Sequence, residues 1–251
     1  MHVIVDNLVT NYHKIGNGPT VLLLHGWGDN LNTYKSLAQE LQTTYTVVAL
    51  DLPGFGGTEV PNKAFNLELY ARFVASFLEK IGSFELHAVI GHSNGGAVAI
   101  KALSSGIVES KKLILLASSG VRSTQKTSKK AKRLLVKLLK IPTKILPNST
   151  QNKIKRKVYE KIGSDLFVAE HLQETFKLVI EEDLVEVSRN IHQPTILIYG
   201  TEDNATPVKY GELFHENIKD SELVVIDGAD HFLHHAYSKD IQQIINEFLI
   251  K

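Results

Sequence analysis

The sequence predicts an α/β fold: a mostly parallel sheet flanked by helices. Short apolar runs stop at glycine or proline turns, amphipathic helical stretches separate them, and the run-then-helix order repeats along the chain. With 251 residues, the expected organisation is one such domain carrying an insertion. Hydrophobic residues make up 43% and charged residues 22%, with a formal net charge of +1, so there is enough apolar material to bury and disorder is excluded. The absence of cysteine excludes a disulfide scaffold, a thiol nucleophile and thiolate metal sites.

Val3-Ile4-Val5 and Val9 to Ile15, closed by Gly16-Asn17-Gly18-Pro19, read as an antiparallel edge hairpin. Val21 to Leu24 comes next and ends at His25-Gly26. Thr46 to Leu50 ends at Asp51-Leu52-Pro53-Gly54. From Leu67 to Ile81, residues Leu67, Tyr70, Ala71, Val74, Phe77, Leu78 and Ile81 share one face at three- and four-residue spacing, which predicts an amphipathic helix. Leu86 to Ile90 stops at Gly91, the helical run Ala97 to Leu103 succeeds it, and Leu113 to Ala117 stops at Ser118-Ser119-Gly120. Strands that are apolar without alternation need cover on both faces, as right-handed βαβ crossovers provide.

From Arg122 to about Ile191 the strand signal disappears. Leu134, Leu135, Leu138, Leu139 and Ile141 form a helical stripe, and Pro142 and Pro147 break the chain beyond it. Phe167 to Ile180 and Leu184 to Ile191 are further helical candidates. Between Arg122 and Lys161 lie 14 basic residues opposed only by Glu160, so this segment carries +13 and the rest of the chain −12. The strand signal resumes at Thr195 to Tyr199 and Leu223 to Ile226. An amphipathic helix with Ile241, Ile244, Ile245, Phe248 and Leu249 closes the chain.

Chemistry concentrates where these strands end. Gly91-His92-Ser93-Asn94-Gly95 is a Gly-x-Ser-x-Gly pattern between a strand and a helix. The flanking glycines let strand and helix approach closely, so Ser93 sits on a tight turn above the sheet at a helix N-terminus. A serine hydroxyl needs a base at neutral pH. His231, in Asp227-Gly228-Ala229-Asp230-His231-Phe232 after the strand Leu223 to Ile226, lies at the sheet edge where open α/β sites assemble. A carboxylate must orient that imidazole. Glu202, Asp203, Asp227 and Asp230 compete for the role, and Asp203 is preferred because it comes from a neighbouring strand end rather than from the histidine's own loop. His25-Gly26-Trp27-Gly28 forms a short glycine-flanked loop. The backbone amide of Trp27 and that of Asn94, next to the serine, are the expected oxyanion-hole donors, each contributing about 2.7–4 kcal/mol in the transition state. His234 and His235 raise a metal question, but His-x-x-His-His without a second ligand cluster matches metal sites poorly, and no metal is expected.

On these residues the chain resembles the α/β-hydrolase superfamily, in the group with a helical cap inserted after the sixth strand. The resemblance spans nearly the whole chain through His25-Gly26-Trp27-Gly28, Asp51-Leu52-Pro53-Gly54-Phe55-Gly56-Gly57, Gly91-His92-Ser93-Asn94-Gly95-Gly96, Gly200-Thr201-Glu202-Asp203 and Gly228-Ala229-Asp230-His231. It implies an eight-stranded sheet, with a core of residues 1–121 and 192–251 and a cap of residues 122–191. It also implies Ser93 as nucleophile, His231 as general base and acid, and Asp203 as orienting acid, in the chain order of this fold. Where the family commonly has Met, Leu or Gln, this chain has Asn94, which alters pocket shape and leaves the amide in place. A serine at 93 argues against dehalogenases and epoxide hydrolases of the fold, which use aspartate, and the resemblance implies no cofactor.

The expected activity is hydrolysis of carboxylic esters with small to medium, largely apolar acyl groups through an acyl-enzyme. Hydrolysis of carbon–carbon bonds in β-diketone-like ring-fission products is the alternative within the same chemistry. A ligand receptor on the same fold is the alternative outside it. The expected partner is a small-molecule ester. The ordinary reading of the basic segment is a solvated helix face, and the sharper one is peripheral contact with an anionic membrane surface. Nucleic-acid binding is not expected, because interleaved aromatics and a recognised motif are missing. The N-terminal residues lack the features of a signal peptide, and no apolar run reaches the roughly 20 residues of a membrane span, so a soluble cytoplasmic protein is expected.

Overall fold

A computed structural model describes residues 1–122 and 169–251. Eight strands form one sheet in the order β1-β2-β4-β3-β5-β6-β7-β8. The strands are β1 (His2–Val5), β2 (Leu8–Ile15), β3 (Thr20–Leu24), β4 (Thr46–Leu50), β5 (Leu86–His92), β6 (Ser110–Leu116), β7 (Thr195–Gly200) and β8 (Ser221–Ile226). β1 and β2 pair antiparallel through a tight turn at Asp6 and Asn7, both at positive φ, and β2 pairs antiparallel with β4. All other pairings are parallel. The expected fold class, edge hairpin included, is the one observed.

The helices are α1 (Lys35–Leu41), α2 (Leu67–Lys80), α3 (Asn94–Ser104), α4 (Gln173–Glu181), α5 (Val208–Asn217), α6 (Leu233–Ala236) and α7 (Ser238–Ile250). Alternate residues of each central strand point to opposite faces. Leu22, Leu24, Val48, Leu50, Val89, Leu113 and Leu115 join a core with α2 and α3, whereas Val21, Leu23, Val47, Ala49, Ala88, Ile90 and Ile114 join one with α1 and α7. That double cover is why these strands show no polar alternation. α2 starts where predicted because Asn66 caps it, its side chain accepting from Leu69 N at 2.9 Å.

Several boundaries differ from the sequence reading. β5 continues through Gly91 to His92, which pairs with Leu116, so the chain turns at Ser93 and not at the glycine. β6 starts at Ser110 and stops before Ala117, whose φ of 44° ends the strand. α1 and α5 have no counterpart in the sequence reading: α1 has only seven residues, and α5 contains Gly211. Where helix is predicted over 184–191, only a 3-10 turn, Val187–Asn190, forms before the chain extends into β7. Of the predicted 122–191 insertion, residues 123–168 lie outside the described residues, as does the leucine stripe. The described part contains a 3-10 turn (Glu170–Leu172) and α4. It packs back on the core: Leu172 is buried against Gly54, and Thr175 Oγ1 accepts from Phe65 N at 3.0 Å. Among the described residues, no helix is long and apolar enough to cross a membrane.

Candidate active site

The sheet order itself opens a crevice. From β3 the chain moves outward to β4, then crosses back to β5 on the other side of β3, so the loops after β3 and β5 diverge at their carboxyl ends. Leu24 and Gly91 are register partners, which sets the Gly26-Trp27 loop beside the turn at Ser93.

Ser93 occupies φ 50°, ψ −116°, a conformation non-glycine residues rarely adopt and one that costs on the order of 1–3 kcal/mol. The turn is held from three sides. Ser93 N donates to Leu116 O at 3.0 Å, and Ser93 O accepts from Ala97 N and Ser119 N, both at 3.1 Å. The glycines make the turn possible. A Cβ on Gly91 would lie 2.6 Å from Gly95 O, and one on Gly95 would lie 2.0 Å from Leu24 O. Ser93 is also the N-cap of α3, yet its hydroxyl makes no capping bond. It faces His231 instead, with Oγ 3.0 Å from Nε2.

On the far side of that imidazole, Nδ1 lies 2.8 Å from Asp203 Oδ2. The carboxylate is buried and fully engaged. Oδ1 accepts from Ala205 N and Thr206 N, each at 2.8 Å, while Oδ2 accepts from Thr206 Oγ1 at 2.7 Å and from His231. Burial pushes the Asp203 carboxyl up, but the bonds from His231 and Thr206 outweigh it and hold the group below the ordinary aspartate value. This geometry fixes Nδ1 as the protonated nitrogen of the neutral ring, leaving Nε2 free to accept from the serine hydroxyl.

The structure thus brings Ser93, His231 and Asp203 into one hydrogen-bonded line and leaves the competing carboxylates out of it. Thr201 Oγ1 donates to Asp227, and Asp230 accepts from Phe232 N. Asn94 follows the serine in the chain, and Gly26, which precedes Trp27, packs against Ser93: a Cβ on Gly26 would lie 3.3 Å from Ser93 Cβ. Among the described residues, neither the Trp27 nor the Asn94 backbone amide donates to a protein acceptor, and Asn94 is the first residue of α3, where amides have no intrahelical partner. The Gly26-Trp27 loop is shaped by His25, which is fully buried: Leu52 N donates to its Nε2 at 2.9 Å, so Nδ1–H donates to Gly26 O at 2.7 Å. Burial keeps this imidazole below its ordinary value, in agreement with a neutral ring. Aromatic rings gather at Trp27, which lies 4.9 Å from Phe55 and 5.0 Å from Phe176 between centroids.

Two positioning residues escape sequence reasoning. Thr206 Oγ1 lies within 3.1 Å of Ala117 O, Asp203 Oδ2 and His231 Nδ1, joining the two strand ends. Its only sequence signal is the Asp-x-x-Thr spacing from Asp203, a local turn motif. His92 Nε2–H donates to the His231 carbonyl at 2.9 Å and so fixes the loop that carries His231. Burial, reinforced by the neighbouring imidazoles His234 and His231, holds His92 well below its ordinary value, so it is neutral.

Residues 17–236 match the family model described as serine aminopeptidase, S33. The chain is 28% identical to a pimeloyl-[acyl-carrier protein] methyl ester esterase of Neisseria meningitidis serogroup C, over 86% of this chain and 88% of the relative. The crystal structure of a membrane phospholipase A, a bacterial virulence factor, superposes with a TM-score of 0.79 at 26% identity, covering 99% of this chain and 84% of that one. An esterase from Exiguobacterium antarcticum shares the fold with a TM-score of 0.80 at 19% identity, covering 100% and 99%.

Proposed function

The chain belongs to the α/β-hydrolase family whose model is described as serine aminopeptidase, S33, and from that premise we propose that it is a carboxylesterase acting through an acyl-enzyme on Ser93. The observation that carries this reading is the line from Ser93 Oγ through His231 to Asp203, with contacts of 3.0 and 2.8 Å. Ser93 Oγ attacks the ester carbonyl carbon as its proton passes to His231 Nε2, and Asp203 stabilises the imidazolium through Nδ1–H. The amides of Trp27 and Asn94 receive the oxyanion. As the tetrahedral adduct collapses, the carbon–oxygen bond to the alcohol breaks and His231 returns the proton to the leaving oxygen. Water then attacks the acyl-serine with His231 again as base, releasing the acid and restoring the serine hydroxyl.

The ester bond is favoured because relatives named as a methyl ester esterase and a phospholipase A are both ester hydrolases by name. Trp27, Phe55 and Phe176 suit an apolar acyl group of small to medium size. Residues 122–191 serve as the cap that shapes the pocket, and Phe176 against Trp27 is the described contact that supports this.

The test is hydrolysis of p-nitrophenyl esters of increasing acyl length by the wild-type chain beside Ser93→Ala. Turnover that disappears in the variant is the expected result. Turnover that survives would remove Ser93 from its role. Silence on every ester with cleavage of a β-diketone would replace the ester with a carbon–carbon bond, and silence on both would favour a receptor.

A further inference from the structure

Beside the site, the segment after β3 meets α6. One carboxylate oxygen of Asp29 and one ring nitrogen each of His234 and His235 lie within 4.8 Å of one another. Thr33 Oγ1 lies 3.0 Å from Nε2 of His234 and 2.9 Å from Nε2 of His235, so both nitrogens converge on the Thr33 hydroxyl, which a bound cation would displace or adopt as a ligand. The two rings lie 4.3 Å apart between centroids. Asp29 and His234 are half-buried and His235 is exposed, so the cluster is open to solvent on one side. Nδ1 of His234 is buried without a partner among the described residues, and the Ser93, His231, Asp203 line uses none of these groups.

We propose that Asp29, His234 and His235 form a binding site for a late first-row divalent cation of the zinc class. Two imidazole nitrogens and one carboxylate oxygen are a borderline-soft donor set that suits zinc, nickel or copper, whereas magnesium and calcium take oxygen ligands. Zinc–ligand bonds of roughly 2.0–2.2 Å place tetrahedral ligands about 3.4 Å apart. The donor atoms, within 4.8 Å of one another, would have to close by about 1 Å to reach that spacing. The Thr33 hydroxyl or a water would complete the fourth position.

The cation would act as a staple. Asp29 lies two residues past Trp27, and His234 three past His231, so one ion ties the oxyanion loop to the loop of the base. Thr33 and His234, which meet here, are 201 residues apart in sequence. A ligand that binds only the folded chain stabilises it by mass action. The histidine spacing alone does not suggest the site, because its third ligand comes from the other end of the chain.

Isothermal titration of zinc chloride into the full chain, freed of metal by a chelator, tests the proposal beside His235→Ala, Asp29→Asn and Ser93→Ala. One zinc ion per chain is expected for the wild type and for Ser93→Ala, at least about 10-fold weaker in His235→Ala and in Asp29→Asn. At 100 times the dissociation constant, zinc should raise the melting temperature by about 5–10 °C, and magnesium chloride should leave it unchanged. Undiminished zinc affinity in His235→Ala or Asp29→Asn, affinity lost in Ser93→Ala, or no binding would overturn the proposal. None of these readouts needs turnover, so the ester reading and the metal site fail separately.

Discussion

At Asp203 two opposing effects meet in one side chain. Removal from water favours the neutral acid, while donors from His231, Ala205 and Thr206 favour the carboxylate, and the donors win. A carboxyl held below its unfolded value stabilises the fold fully above that value, near 4, and loses the contribution as pH falls through the lower folded value. Asp203→Asn is therefore expected to flatten the acid limb of stability, read from denaturant unfolding between about pH 3 and pH 7. The same change leaves His231 without its orienting acceptor, and kcat for ester hydrolysis should fall by about 10⁴-fold. Asp203 is legible in the sequence because it follows a strand end one strand away from the histidine. Thr206 is not, since nothing in its neighbours reveals that its hydroxyl reaches Ala117 O, 89 residues earlier.

The turn between β5 and α3 is the element on which the site depends. Its glycines are required by crossing backbones, whereas Gly82, just past α2, answers only to its own φ of 66° and has open space around it. Gly95→Ala is expected to lower stability by about 3 kcal/mol or more, because Leu24 O is backbone and cannot yield without moving β3. Gly82→Ala should cost about 1–2 kcal/mol, the penalty of left-handed backbone alone. Urea unfolding of both variants reads the difference, and equal losses would show that close approach at Gly95 is not what demands glycine. β3 to β7 are legible because double burial writes apolar runs into the sequence. α1 and α5 are less so, since a seven-residue helix and one containing glycine leave little periodic signal.

For the whole molecule, the question is how residues 169–181 are held on the core. Leu172 is 3% exposed and seated on Gly54, and His171 Nε2 lies 2.9 Å from Gly54 O. Leu172→Ala is expected to cost about 2–4 kcal/mol and, by loosening α4 over Trp27, to raise KM for esters more than it lowers kcat. Thermal unfolding and steady-state kinetics on the same preparation check both; an unchanged melting temperature would show that Leu172 is not the anchor.

By itself the sequence determined the α/β class, the edge hairpin and the strand ends at which Ser93, Asp203 and His231 stand. Burial on two faces, helical periodicity and turn chemistry are local constraints, and each leaves a pattern within a few neighbouring residues. Only the tertiary structure decided the sheet order that opens the crevice between β3 and β5, the 2.8 and 3.0 Å contacts along the Ser93, His231 and Asp203 line, and the meeting of Asp29 with His234 and His235. Those are contacts between residues tens to hundreds of positions apart. Their geometry comes from strand register and crossover handedness, which no local pattern encodes.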